Sequence, residues 1–201
     1  YMIATEPLSD TQWNEIGWTN RETVSDGRNL VIYVQRTADG RIAFGGRGAP
    51  YKFASRIGSR FDNNPKIHFL IEKSMREMFP SIDDVAVTHR WGGALGVHRD
   101  WFASARVDHH NHVATLGGYV GDGVAFSYVA AKEVAHSITG TPDNHCPLPI
   151  VNHVSKRWEP EPLRYIGINS ILRLTERADE TERRTGRKNR LVNWVLGKLI
   201  P

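Results

Sequence analysis

The chain has 201 residues and a formal net charge of +4 at pH 7, and 40% of its residues are hydrophobic while 24% are charged. This balance is ordinary for a globular protein that buries a core, so it excludes wholesale disorder. The small, scattered positive charge argues against nucleic-acid binding, which normally needs basic residues gathered on one face. The sequence contains no apolar run long enough for a membrane span.

The single cysteine and the first residues predict where the protein works and how much of it this chain represents. Cys146 has no second cysteine to pair with, so we expect a reducing, cytoplasmic compartment. Residues 1–6 already have the pattern of a strand, with no lead-in. We therefore expect the chain to begin inside a larger protein.

In chain order, the first predicted elements are a strand, a short helix and a β-hairpin. Residues 1–6 form the strand, and Ser9 or Asp10 could cap the helix. The hairpin has arms at 29–37 and 41–45, joined by an Asp-Gly turn.

Alternation along the first arm of the hairpin predicts two different faces. Ile32 and Val34 fall on one side of the strand, and Val31, Tyr33 and Gln35 fall on the other. We expect one side to meet the core and the other to line a surface or a cavity.

The loop after the hairpin, residues 45–51, places three glycines around Arg47. Backbone without side chains can approach a ligand closely, and a fixed guanidinium can bind a carboxylate. A plain surface loop is the alternative interpretation.

The middle of the chain predicts a helix, a strand and a second hairpin. Residues 63–79 have a core-facing stripe of Ile, Leu and Met at helical spacing. Residues 84–91 alternate as a strand, and a glycine-rich loop follows as far as Asp100. The second hairpin has arms at 106–108 and 112–116.

Three histidines, His109, His110 and His112, lie at the turn of that second hairpin. Neighbouring positions on a tight turn point in different directions, and no Cys or carboxylate partner has a metal-ligand spacing. We therefore predict solvated histidines and no metal site.

The last third of the chain predicts a connection and two helices. Residues 141–162 are rich in proline, which indicates a connecting segment. Residues 165–174 could form a strand or the start of a helix. We expect a helix that continues to about 185, since Glu and Arg residues there have supportive spacing, and a final short helix over 191–200.

The most informative stretch is a glycine-rich turn, residues 116–125, between the second hairpin and a helix that should end at Gly140. Such a turn presents backbone N–H groups and the positive end of a helix dipole, which suits a phosphate, a carboxylate or an electron-rich heterocycle. The same glycines could instead serve close packing of strand against helix. One face of the helix carries apolar residues at helical steps: Val124, Tyr128, Ala131, Ala135 and Ile138.

This turn is not the dinucleotide fingerprint. Its glycines run G-G-x-x-G-x-G, whereas the pyrophosphate-binding motif runs G-x-G-x-x-G, and nothing else in the chain supplies that pattern. The turn could therefore hold part of a cofactor other than its pyrophosphate.

Four segments of the chain together resemble one known family: residues 5–8, 33–47, 89–93 and, above all, 117–125. They are similar to the C-terminal half of the FAD-dependent D-amino-acid oxidase superfamily. The likeness is closest to its bacterial branch of glycine/D-amino-acid oxidases and gamma-glutamylputrescine oxidase-like proteins, and it covers most of the chain.

The resemblance implies a two-domain flavoprotein with FAD as its cofactor. The implied fold class is α+β, with a mainly antiparallel substrate-domain sheet and the C-terminal strand-turn-helix part of an FAD/NAD(P)-binding domain. Residues 1–80 would end the substrate-binding domain, 81–140 would complete the FAD-binding domain, and 141–201 would form the connection and the C-terminal helices. The N-terminal Rossmann unit would be missing, so the absent FAD-binding half is an expected partner.

The resemblance also implies site residues. Residues of the loop after the predicted strand would pass beside the flavin ring: Trp91, Gly92 and Gly93. Residues of the central turn would face the ring near N1 and the C2 carbonyl: Gly117, Gly118, Tyr119, Val120, Gly121, Asp122, Gly123 and Val124. On the substrate side, Arg47 would hold a carboxylate and Tyr33 would wall or orient the amine.

The implied reaction takes a hydride from the carbon beside the nitrogen of a small amine or amino acid and leaves an imine, which water hydrolyses. Some relatives attach the flavin covalently; the loop has no cysteine, and His89 could be a histidyl link or simply a strand histidine. An alternative is a truncated, non-catalytic paralogue that lacks the pyrophosphate site. In either case we expect these 201 residues alone to be inactive.

Overall fold

A computed structural model of the chain describes residues 1–46, 48–140 and 146–199. The chain divides into two compact units, each described by itself below. Unit 1 comprises Tyr1–Ala94 with Glu161–Asn193, and unit 2 comprises Leu95–Pro160 with Trp194–Pro201.

The chain contains seven described strands and six described α-helices, together with 3-10 turns at Phe53–Ser55 and Pro80–Ile82. The strands are β1 Met2–Thr5, β2 Thr23–Ser25, β3 Ile32–Arg36, β4 Ile42–Gly46, β5 Val87–Trp91, β6 Ser104–Asp108 and β7 Val113–Gly117. The helices are α1 Asp10–Ile16, α2 Ser59–Asp62, α3 Pro65–Met78, α4 Gly123–Thr139, α5 Leu163–Thr185 and α6 Arg190–Leu199.

Unit 1 is built on a five-stranded sheet in the order β2-β3-β4-β1-β5, with every neighbouring pair antiparallel. The side chains of one face alternate with those of the other along each strand. The inner face packs on α1 and α3 to form the core of the unit. Its largest buried members are Ile3, Ile32, Val34, Ile42, Phe44, Ile71 and Met75.

Local sequence signals fix the two core helices. Ser9 and Gln12 form a reciprocal capping box at the start of α1, and Gly17 ends that helix in the left-handed conformation. The Asn64 side chain accepts from the Ile67 N–H at the start of α3, where Pro65 occupies the first turn. These ends lie within two residues of the predicted ones.

A carboxylate ties the long core helix to the edge strand of the sheet. Glu72 of α3 contacts Arg76 one turn later and Arg90 of β5, each at 2.8 Å. Although its partial burial raises the pKa of Glu72, the hydrogen bonds from the two arginines outweigh this and lower it overall. The carboxylate therefore stays charged at neutral pH and holds β5 beside the helix.

Helix α5 is anchored by a buried carboxylate to the chain segment that precedes β3 of unit 1. Asp179 accepts hydrogen bonds from the backbone N–H of Asn29 at 2.9 Å and from that of Leu30 at 3.0 Å. At the other end of α5, Glu161 accepts from the Tyr51 hydroxyl at 2.6 Å and from the Ala54 N–H at 2.9 Å. Chain segments more than a hundred residues apart are thereby joined.

Unit 2 contains the β6–β7 hairpin and α4. Its small core consists of Ala103, Ala105, Ala130 and Ile150. The other edge of β6 continues into the C-terminal part of the unit, because Ala105 forms a parallel bridge with Val151. The elements predicted from sequence are thus present as strands and helices, although β3 and β5 are shorter than the predicted 29–37 and 84–91.

The structure confirms a mixed architecture of helices and antiparallel sheets. The assignment of 1–80, 81–140 and 141–201 to functional domains stays a prediction, and residues 141–145 of the predicted connection lie outside the described residues. No described helix has both the length and the apolar character to cross a bilayer.

Replacing Asp179 by Ala should destabilise unit 1 by about 2–4 kcal/mol, because two backbone N–H groups lose their acceptor. Asp179→Asn, which retains one carbonyl oxygen, should lose less. Glu176→Ala, at an exposed position of the same helix, should change stability by less than about 0.5 kcal/mol. Urea unfolding measures all three, and equal midpoints for D179A and E176A would show that α5 is not anchored through this carboxylate.

Candidate functional site

The outer face of the five-stranded sheet brings together residues that are far apart in the sequence of unit 1. Residues paired across antiparallel strands lie on the same face. One row across that face comprises Ser25, Tyr33, Gly45, Met2 and Trp91. The next row comprises Thr23, Gln35, Ala43, Ala4 and His89. Tyr33 and Trp91 therefore share a row, about 14 Å apart at three strand spacings.

Because Gly45 has no side chain, the Tyr33 ring can pack against the sheet at this position. A Cβ atom placed at Gly45 would overlap the Tyr33 ring and the sulfur of Met2. The ring is half-buried by this packing, and burial raises the pKa of the Tyr33 hydroxyl. At neutral pH Tyr33 therefore offers a protonated hydroxyl beside an aromatic surface that is 44% exposed.

Trp91 ends β5 on the same face and is also 44% exposed. Its carbonyl oxygen accepts a hydrogen bond from His68 Nε2 at 3.1 Å, which fixes the backbone at that point. A Cβ at Gly92 would come within 2.7 Å of the Tyr1 ring and of the Asp62 carbonyl oxygen. Gly92 therefore has a packing role, whereas Gly93 has open space around it.

Arg47, the predicted carboxylate-binding residue, lies outside the described residues. Its predicted role stays a prediction. Gly46, which precedes it, has a φ of +119° and lies against the backbone of Val31 and Ile32.

In unit 2 the glycine-rich turn between β7 and α4 uses backbone conformations that side chains disfavour. The φ angles are +74° at Gly118, +49° at Val120 and +104° at Gly121. The Asp122 N–H closes the turn on the Tyr119 carbonyl oxygen at 3.0 Å. A valine in the left-handed region is strained, and such strain is found disproportionately at binding sites.

The glycines of this turn have two different roles. A Cβ at Gly118 would overlap the His98 ring, so this glycine serves close packing. Gly117 and Gly121, in contrast, have nothing within 4 Å of where a Cβ would lie. Close packing therefore explains Gly118, whereas contact with a ligand stays a prediction for Gly117 and Gly121.

The N-terminus of α4 faces outward without a side-chain cap. Asp122 occupies the N-cap position but makes no capping hydrogen bond, and Val124 in the first turn is 95% exposed. A 17-residue helix concentrates partial positive charge at this end. These N–H donors, with open space at Gly117 and Gly121, suit an electron-rich heterocycle, a phosphate or a carboxylate.

The loop that contains His98, which contacts the turn at Gly118, is held by the carboxylate of Asp100. His98 Nδ1 donates to the Phe102 carbonyl oxygen at 2.7 Å, and Asp100 contacts His153 Nε2 at 2.8 Å. Desolvation raises the pKa of Asp100, but hydrogen bonds from Ser155, His153 and the Phe102 N–H outweigh it and lower that pKa to about 2. The support given by this charged carboxylate is therefore present above its ordinary pKa and is lost as the pH falls towards 2.

The apolar stripe of α4 is exposed. Ala130 and Glu133 are buried on one side of the helix, while Tyr128 is 69% and Ile138 is 59% exposed on the other. The remaining stripe residues, Val124, Ala131 and Ala135, are exposed as well. Exposed apolar surface of this extent commonly marks an interaction face.

The structure thus brings some predicted site residues together within each unit. Tyr33 and Trp91 share the outer sheet face of unit 1, whereas Gly117 to Val124 form the turn of unit 2. Sequence reasoning missed Gly45 and Met2, because only strand pairing places them beside Tyr33. Within the described ranges, no group of three or more His, Cys, Asp or Glu residues could hold a metal ion.

Residues 1–137 match the family model described as FAD dependent oxidoreductase, DAO. The chain therefore belongs to this family of FAD-dependent oxidoreductases, and the family's cofactor is FAD. The resemblance seen in the sequence is confirmed.

Two curated relatives carry the name "Probable oxidoreductase OrdL". The chain is 34% identical over 119 residues to the one from Rhizobium meliloti (strain 1021), covering 59% of this chain and 26% of that protein. It is 28% identical over 141 residues to the one from Haemophilus influenzae, covering 70% of this chain and 29% of that protein. The chain thus spans less than a third of each relative's length.

A solved structure shares the fold. The crystal structure of L-proline dehydrogenase from P. horikoshii superposes with a TM-score of 0.56 at 17% identity, covering 74% of this chain and 36% of that one.

Gly118→Ala should destabilise unit 2 by about 2–3 kcal/mol, because the new Cβ meets the His98 ring in a left-handed backbone conformation. Gly117→Ala adds the same methyl group into open space and should change stability by less than about 1 kcal/mol. Thermal unfolding of the two variants tests the difference. Similar melting temperatures would contradict the division of roles within the turn.

Proposed function

We propose that the full-length protein oxidises the C–N bond of a small amine or amino acid by hydride transfer to FAD. The observation that carries this proposal is the turn from Gly117 to Val124, with free N–H donors at the start of α4, inside the segment that matches the family. The bound flavin supplies the two-electron acceptor. The residues of this chain bind and orient the ring and the substrate.

The turn and the first turn of α4 would hold the electron-rich edge of the flavin ring, near N1 and the C2 carbonyl. Reduction places negative charge at that edge, and a helix N-terminus stabilises negative charge. Gly117 and Gly121 supply the open space that this contact needs, while Gly118 holds the turn on His98. Trp91, Gly92 and Gly93 would lie beside the ring.

The outer face of the sheet in unit 1 would form the substrate side. Tyr33 presents a protonated hydroxyl and an aromatic wall, which suits an amine. We assign Arg47 the role of binding a substrate carboxylate because its guanidinium remains charged throughout the physiological range.

We further propose that the chain is the C-terminal portion of a cytoplasmic protein whose remaining part carries the N-terminal Rossmann unit. Two observations support this. The chain aligns with only 26% and 29% of its two curated relatives, and α4 exposes its apolar stripe. The strands of the missing FAD-binding half would cover that stripe and supply the pyrophosphate site that this chain lacks.

A truncated, non-catalytic paralogue is the rival proposal. It is favoured by the same alignment lengths, together with the lack of a G-x-G-x-x-G motif in the sequence. An upstream reading frame that encodes a strand, this motif and a helix would support the enzyme over the truncated paralogue. The enzyme also requires a yellow full-length protein whose colour is bleached by an amine.

Gly117→Val should lower the affinity of the full-length protein for FAD at least about tenfold, since two methyl groups would occupy the space given to the ring. Gly27→Val is the matched control, because its Cβ also meets nothing within 4 Å but lies far from the turn in sequence. Flavin fluorescence titration of the two refolded apoproteins measures the difference. Equal affinities, with unchanged circular dichroism, would remove the turn from the flavin site.

Tyr128→Lys should lower the melting temperature of the full-length protein by several degrees, because a lysine would be buried against the added FAD-binding half. The same change in the isolated 201-residue chain should have little effect, since Tyr128 is exposed there. Ser137→Lys, on a different side of α4, is the control. A similar decrease in melting temperature for both full-length variants would show that the stripe is not covered.

A further inference from the structure

His89 lies on the outer face of the sheet, two residues before Trp91 on β5. Its pairing with Ala4 places it in the row next to that of Tyr33 and Trp91. The side chain is exposed. It is therefore a titratable imidazole on the face proposed for the substrate, and neither the family match nor the relatives assign it a role.

The Thr88 hydroxyl is the hydrogen-bond partner of the His89 ring among the described residues. Nδ1 lies 2.8 Å from the Thr88 hydroxyl oxygen, and that oxygen also accepts from Arg41 at 3.1 Å. The single hydroxyl proton has two acceptors within reach, Nδ1 and the Ala4 carbonyl oxygen at 3.5 Å. When this proton points to Ala4, the hydroxyl accepts from Nδ1–H, and the neutral ring carries its proton on Nδ1.

In this tautomer the Nε2 atom has a lone pair. Among the hydrogen bonds of the described chain, His89 Nε2 makes none. An exposed ring nitrogen with a lone pair matches one property of the proposed substrate. An aliphatic amine is protonated at pH 7, like a lysine side chain with its pKa near 10.4, and hydride removal requires the neutral amine.

We infer that His89 is the residue that binds the substrate nitrogen and accepts its proton. The N–H bond of the ammonium breaks, its proton forms a bond with Nε2, and the electron pair stays on the substrate nitrogen. The imidazole becomes a cation, and no oxidation state changes in this step. The inference rests on the proposed function for the identity of the substrate, and it adds the proton acceptor that the chemistry requires.

The charged groups around His89 are compatible with this role. Arg41 reaches Thr88 from β4 and also donates to the Thr5 carbonyl oxygen at 2.8 Å. Its charge is partly balanced by Asp39, with 2.7 Å between Nε and Oδ2. Arg90, the next residue on β5, pairs with Glu72 on the inner side.

The test compares four variants of the full-length, FAD-loaded protein. His89→Gln retains a hydrogen-bond acceptor but no base, and His89→Leu removes both. Thr88→Val removes the hydroxyl that contacts Nδ1. His109→Gln, at an exposed position of the β6–β7 turn, is the matched control. Anaerobic stopped-flow absorbance measures the rate of flavin reduction by a panel of primary amines and amino acids between pH 6 and pH 10.

We expect H89Q and H89L to reduce flavin about 100-fold more slowly than the unmodified protein at pH 7, which is the usual size of a lost general base. The deficit should shrink as the pH approaches the pKa of the amine, because the neutral amine then needs no base. The rate of flavin reduction should fall several-fold in T88V and should not change in H109Q. A deficit in H89Q and H89L that is independent of pH, or rates within twofold of the unmodified protein, would overturn the inference.

A second measurement separates this inference from the proposed function. tert-Butylamine has no hydrogen on the carbon beside its nitrogen, so it cannot be oxidised. Its binding should move the nitrogen-15 NMR signal of His89 Nε2 towards the imidazolium position and leave that of His109 unchanged. If no amine reduces the flavin, the proposed function fails, yet this shift still decides whether His89 binds an amine.

The same protein also tests His89 as a covalent attachment site. Flavin that remains on the denatured protein, and that is lost in H89Q, would show a histidyl link and overturn the inference. Release of all flavin on denaturation is the expected result.

Discussion

The two-sidedness of the five-stranded sheet is the constraint on which the rest of unit 1 depends. Burial of Ile3, Ile32, Val34, Ile42 and Phe44 against the core helices fixes the register of β1, β3 and β4. A shift by one residue would turn every one of these side chains outward. Once the register is fixed, alternation leaves Tyr33, Gly45, Met2, Trp91 and His89 together on the other face.

Helix α4 and its turn apply a second constraint, which is electrostatic. The close contact of Gly118 with His98 and the hydrogen bond from the Asp122 N–H to the Tyr119 carbonyl oxygen hold the turn in one conformation despite the strain at Val120. The N–H groups at the start of α4 are therefore oriented before any ligand arrives. Donors that are already oriented need little reorganisation free energy when a ligand binds. They also stabilise developing charge without rearranging. The carboxylate of Asp100 supports this arrangement from the loop below, through His153 and the backbone at Phe102.

The proposals assign a different role to each of these two parts. The turn of unit 2 would stabilise negative charge on a reduced flavin ring. The outer face of unit 1 would supply an aromatic wall and, in His89, a proton acceptor for the substrate. The exposed stripe of α4 supports the proposal that further protein surface covers it.

The sequence by itself determined most of the elements, many of their ends and the family, but not the short elements β2 and α2. The caps at Ser9 and Asn64, the Asp-Gly hairpin and the glycine turn are local signals, and local signals depend on neighbours within a few residues. Only the tertiary structure decided which strands are neighbours, and hence that Gly45 and Met2 support Tyr33 and that His89 shares their face. It also decided that Gly118 packs on His98 while Gly117 is open, and that the apolar stripe of α4 is exposed. The reason is physical: strand pairing and helix burial join residues tens of positions apart, and the pattern of a single segment contains no information about its partner.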